Sequence, residues 1–180
     1  MENNQPRGKG QKAMTTIESL AREFAHETTT TRVHLARLPE DKLDWRPHRK
    51  SFTAGALAAH IVECIRWADA IFTADEFDMD PATYEPRHAG TTADLLVIFD
   101  EEVARGTTAL AGAGDESAQA LWRLKVKGKV RFERPKAAVF RDFTLSHVIH
   151  HRGQLSVYLR LLDVPVPGSY GPTADEQGGS

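Results

Sequence analysis

Four stretches of the chain repeat apolar residues at steps of three and four, and connectors bearing proline or glycine interrupt them. That period puts each apolar set on one face of an α-helix, and such a face is stable in water only when it is buried. The first stretch carries Ile17, Leu20, Phe24, Thr28, Thr31, Leu35 and Leu38. Thr15 and Glu18 stand before it at capping-box spacing, and Pro39 closes it. Its threonine run lowers helix propensity, so this helix depends on packing. The second stretch is capped by Ser51 or Thr53 and reaches Phe72, with Leu57, His60 or Ile61, Cys64, Trp67 or Ala68, and Ile71 along one side. The third follows Thr91 or Thr92 and carries Leu95, Ile98, Phe99, Val103 and Leu110. The last opens at Pro135, suited to a first helical turn, and runs to Leu162 with Phe140, Phe143, Leu155, Tyr158 and Leu161 for packing. Pro165 and Pro167 stop it.

Four amphipathic helices with irregular connections predict an all-α fold, a four-helix bundle. Residues 39–50 read as a charged connector, and residues 74–90, acidic and holding Pro81 and Pro86, read as a long loop. Leu121–Arg134 is the one strand-like piece. Leu124, Val126, Val130 and Phe132 alternate about Lys127-Gly128-Lys129, which predicts a short β-hairpin or extended arm before the last helix.

A chain of 180 residues can bury one sizeable core. The reading is a single domain over 13–172, after a disordered segment 1–12 and before a polar tail 173–180. A formal net charge of −2 offers no basic footprint for nucleic acid. No apolar run approaches the ~20 residues that span a bilayer, and the first residues lack the apolar middle of a secretory signal. The single cysteine, Cys64, excludes an internal disulfide and suits a reducing compartment. The expected location is the cytoplasm.

Chemistry concentrates in Ser146–Tyr158, SHVIHHRGQLSVY. His147 and His151 lie four apart, so on a helix both imidazoles share one face and can hold one divalent ion. A third ligand must come from another element, and His60 is the best placed. His150 competes with His151, and Cys64, one turn beyond His60, is a second competitor that is better read as a small core residue. Glu63 is a ligand, a general base or, the safest reading, a solvated helix charge. Gln154, three past His151, is placed to orient a ligand or a water. Arg152 binds an anionic group or lies on the surface, the surface being the safer reading. Gly153 stands in mid-helix, where glycine costs about 1 kcal/mol relative to alanine, and reads as a place of close approach. Trp45 either covers a cleft or packs on an end of the bundle.

The blocks LPEDKLDWRPHRKSFTAGALAAHIVE and LSHVIHHRGQLSVYLRLLDVPVPGSYGP closely resemble the DinB family, within the wider DinB/YfiT-like metalloenzyme superfamily. The resemblance covers Ile17 to Pro172 and implies an up-down-down-up four-helix bundle, often a homodimer, whose three histidines hold one divalent metal ion: zinc, nickel, iron or manganese. It places those ligands at His60, His147 and His151, with Arg152, Gly153 and Gln154 completing the motif, and so demotes His150 and Cys64. It departs from the family at the Lys/Arg-rich Leu121–Arg134 insert. Across the superfamily the resemblance implies a metal-dependent enzyme acting on a small-molecule substrate, a transferase that uses a low-molecular-weight thiol or a hydrolase. The contrasting expectation is a non-catalytic metal- or ligand-binding bundle of stress response.

Overall fold

The computed structural model describes residues 13–83 and 90–177. Three long helices come first: α1 (Thr16–Leu35), α2 (Ala54–Thr73) and α3 (Thr92–Gly112). Local chemistry starts each of them. Thr15 and Glu18 form the complete capping box of α1, the Thr53 hydroxyl accepts from the Ala56 N–H of α2, and Thr91 accepts from Asp94 of α3. Every apolar or threonine position expected on the α1 stripe is buried. On α2 the core face takes Leu57, Ile61, Cys64, Ala68 and Ile71, which leaves His60 and Trp67 at its edge, partly exposed. On α3 the stripe is Leu95, Phe99, Glu102, Gly106 and Leu110. Gly106 sits there because a Cβ would lie 2.8 Å from the Ala68 Cβ and 2.9 Å from the Phe24 ring.

The last helical segment is composite. A short α5 (Lys136–Phe140) passes through a π-helical turn, Arg141–Ser146, into α6 (His147–Leu161). Helix α2 packs on α3 and α6, and α1 packs on the same two, so α2 and α6 share a long interface.

The all-α expectation is corrected by a small three-stranded sheet in a mostly helical chain. Strands β2 (Leu121–Val126) and β3 (Lys129–Pro135) form the expected hairpin, turning through Lys127 and Gly128, both at positive φ. The third strand, β1 (Glu76–Met79), lies inside the stretch read as a loop and pairs in parallel with β2, Phe77 opposite Leu124. Alternation misled at Val130, which is exposed, whereas the buried anchor is Trp122, whose indole N–H donates to the Ala70 carbonyl at 3.4 Å. Four of the hairpin's cations face carboxylates: Arg123 meets Glu133, Lys125 meets Glu76, Lys127 meets Asp80 and Arg134 meets Asp142. A short α4 (Asp115–Gln119) leads into the hairpin.

After Leu161, itself exposed rather than packed, the chain folds back over α1 and α6. Arg160 and the Val166 N–H both bind Asp175, and the Gly168 and Thr173 N–H groups bind Glu176. Residues 1–12, read as disordered, lie outside the described residues. Among the described residues no helix is long and apolar enough to cross a membrane.

Candidate metal centre

Helices α2 and α6 bring His60, His147 and His151 together. The Nε2 atoms of His60 and His147 are 3.4 Å apart. The His151 ring centre lies 4.6 Å from that of His60 and 4.7 Å from that of His147. His150, three residues after His147, is exposed and points its Nε2 at the Gln154 amide, 3.1 Å away. Of the two histidines that spacing alone left open, His151 is the one whose ring packs against those of both His60 and His147.

Outer partners set the tautomers of two of the three rings. His60 Nδ1 faces a Glu63 carboxylate oxygen at 3.4 Å, and His151 Nδ1 faces the Gln154 Oε1 at 2.7 Å. Both oxygens only accept, so each Nδ1 carries the proton and each Nε2 keeps its lone pair. The Phe143 carbonyl, one turn before His147, favours the protonated form of that ring, and the His147 Nε2 faces that of His60. That carbonyl belongs to the π-helical turn, where the backbone ladder is re-spaced, and the His147 N–H itself bonds Thr144. The His60 Nε2 lone pair thus faces the His147 Nε2, which either donates to it or, with its proton on Nδ1, presents a second lone pair. Two such lone pairs repel unless a cation sits between. A tetrahedral ion with metal–nitrogen bonds of 2.0–2.1 Å separates its nitrogens by about 3.3 Å, close to the observed gap.

The His147 and His151 rings are held toward the neutral form before any ion arrives. Burial lowers the pKa of His147, with His60 adding to the effect. Burial pushes His151 down to about 4, against the opposing pull of its Gln154 hydrogen bond. Neutral imidazole is the ligating form, so no proton need leave these rings at neutral pH.

Cys64 is nearer than spacing alone implied. Its Sγ lies 4.0 Å from His60 Nε2, and donor atoms of His60, Cys64 and His147 all fall within 4.8 Å of one another. This His-Cys-His cluster can hold a metal ion. Burial, with the neighbouring Glu63 charge, pushes the thiol up to about 12.

Other expected site residues are relocated. Glu63 is not a solvated charge: its side chain is largely buried and turned to His60. Arg152 is not a surface residue. It is 1% exposed and forms a 2.7 Å ion pair with Glu27, with further bonds to Thr31 and the Tyr170 hydroxyl. Gly153 permits no close approach within the chain, being exposed with open space where a Cβ would stand. Trp45 packs edge-on against Tyr158, whose hydroxyl donates to the Phe52 carbonyl. Phe52, missed in the sequence, lies 5.7 Å from the His60 ring and is half exposed, so it forms a rim of the site. Its place just before the Thr53 cap was the only signal available.

The fold and this centre define a mostly helical chain with a polyhistidine site between two packed helices. The DinB family model matches residues 10–178, and the chain belongs to the DinB family. Its structure is similar to that of a DinB-like protein from Bacillus cereus ATCC 10987, with a TM-score of 0.70 and 21% identity, covering 88% of this chain and 100% of that one. A DinB-like protein from Bacillus subtilis is similar at a TM-score of 0.64 and 16% identity, covering 85% and 99%. No curated protein sequence matches.

Proposed function

We propose that this DinB protein is a metal-dependent enzyme whose single divalent ion is held by His60, His147 and His151. One observation carries the reading: the His60, His147 and His151 rings pack against one another, and the outer partners Glu63 and Gln154 engage the Nδ1 of His60 and His151, which leaves their Nε2 lone pairs for an ion. Outer hydrogen bonds of this kind fix ring orientation and raise ligand basicity. When bound, the ion would lower the pKa of a water or a thiol beside it and so supply a nucleophile at neutral pH. The chain's residues do the rest. Gln154 and Glu63 hold the rings, the apolar core behind Ile61 and Leu155 excludes water, and the half-exposed Phe52 offers an apolar contact to a small-molecule substrate.

The reaction proposed is transfer to or from a low-molecular-weight thiol, with metal-dependent hydrolysis as the neighbouring chemistry. The proposal extends to an up-down-down-up bundle made by α1, α2, α3 and the last composite helix, a homodimer, and a cytoplasmic setting. The net charge of −2 and the carboxylates facing the hairpin cations favour neither nucleic acid nor membrane as partner. The second reading is a non-catalytic, metal-stabilised protein of stress response, and the two are separated by stripping the metal.

Protein purified without an affinity tag should carry close to one divalent ion per chain, and His147→Ala should lose it. Full occupancy in His147→Ala would overturn the ligand assignment. A large fall in melting temperature on chelation, with no thiol-dependent turnover of electrophiles by the loaded protein, would favour the non-catalytic reading.

A further inference from the structure

We propose that Cys64 is the fourth ligand of this centre, making it a site of three nitrogens and one sulfur that the chain itself closes. The inference rests on the three-histidine reading above and adds a residue that the family resemblance demotes. His60 and Cys64 are four apart on α2, and His147 and His151 are four apart on α6. Each pair occupies one helical face, and the faces meet because α2 packs on α6. Donor atoms of His60, Cys64 and His147 fall within 4.8 Å of one another there, and the His151 ring stands beside them.

The separations suit a tetrahedron. Metal–nitrogen bonds of 2.0–2.1 Å and a metal–sulfur bond near 2.3 Å put nitrogen and sulfur about 3.6 Å apart. The Sγ stands 4.0 Å from His60 Nε2, about 0.4 Å beyond that separation. In the metal-free chain the thiol can donate a weak hydrogen bond to that nitrogen's lone pair, the contact that a metal ion would replace. Cys64 is also buried, so solvent does not compete with the ion for its sulfur, and as the one cysteine of the chain it is not diverted into an internal disulfide.

On binding, the S–H bond breaks, the proton passes to solvent and the sulfur–metal bond forms, with no change of oxidation state. The resulting donor set is softer than three imidazoles. It favours zinc, or cobalt as its spectroscopic substitute, over manganese. It also fills the fourth position in the resting state, so a substrate atom reaches the ion only by displacing Cys64 or by enlarging the coordination number.

The test is titration of the metal-free full chain with Co2+. Wild type is expected to show tetrahedral ligand-field bands together with a sulfur-to-cobalt charge-transfer band in the near ultraviolet. Cys64→Ala should bind Co2+ more weakly, lose the charge-transfer band and lose part of its preference for Zn2+ over Mn2+, while its melting curve without metal shows that it folds. A wild-type complex that forms at one ion per chain, requires His147 and has no charge-transfer band would overturn the sulfur ligand and leave the histidine reading standing. Failure of both Co2+ and Zn2+ to bind would overturn both.

Discussion

Two mid-helix glycines should respond in opposite directions to the same substitution. Alanine in a helix interior is more stable than glycine by about 1 kcal/mol, because the backbone loses less entropy on folding. At Gly153 nothing stands within 4 Å of the new Cβ, so Gly153→Ala should realise that gain. At Gly106 the same Cβ would lie 2.8 Å from the Ala68 Cβ and 2.9 Å from the Phe24 Cζ. Both neighbours are buried in the core and cannot retreat into solvent. Overpacking of this kind costs about 1–3 kcal/mol, which cancels or outweighs the propensity gain. The propensity contribution is common to both variants, so the difference between them isolates the packing penalty at Gly106. For a chain of this size ~1 kcal/mol moves the melting temperature by about 2–4 °C. Gly153→Ala should therefore melt about 2–4 °C above wild type, and Gly106→Ala between wild type and about 8 °C below it. Urea denaturation and thermal melts should be run on metal-free protein, so that altered metal affinity beside His151 does not enter the result. Equal shifts in the same direction would refute the reasoning, and destabilisation by Gly153→Ala would show that its open face is covered by something outside the chain.

Two further perturbations follow from buried polar groups. Arg152→Met leaves the Glu27 carboxylate buried without its guanidinium and should destabilise by about 3–5 kcal/mol in urea titrations, with most of the loss recovered in a Glu27→Leu, Arg152→Met double variant; a single-variant loss below about 1 kcal/mol would place the pair in solvent. In metal-free protein, His34, His147 and His151 all have pKa values held below the ordinary 6.5, mainly by burial. The unfolded chain then binds more protons than the folded one as pH falls, so stability is fully present above 6.5 and is lost toward the folded pKa, about 4 for His151. The depressed carboxylates Asp115, Asp175 and Glu176 act at lower pH, below their ordinary 3.8 to 4.5. Urea midpoints should therefore fall between pH 6.5 and 4, and a flat profile across that window would refute the burial assigned to these rings.

What the sequence determined by itself was local. Steps of three and four, the Thr15–Glu18 capping box and the Thr53 and Thr91 caps act within one or two helical turns, and they specified α1, α2 and α3. The His147–His151 spacing put two imidazoles on one helical face for the same reason, and the Lys127-Gly128 turn announced its hairpin. Only the tertiary structure decided what depends on distant residues. Strand β1 exists because β2, more than forty residues later, supplies its hydrogen bonds, and an isolated run of four such residues carries no strand signal. Arg152 looked like a surface cation because charge is usually solvated, and it is buried because Glu27 and Tyr170 come to it from a helix far upstream and from the returning C-terminal segment. By spacing His150 competed closely with His151, while Cys64 read better as a small core residue than as a ligand. The packing of α2 on α6 set Cys64 against the His60 and His147 nitrogens and turned His150 outward, since the rotation of two helices about their axes is fixed by whole interfaces and not by any local run of residues.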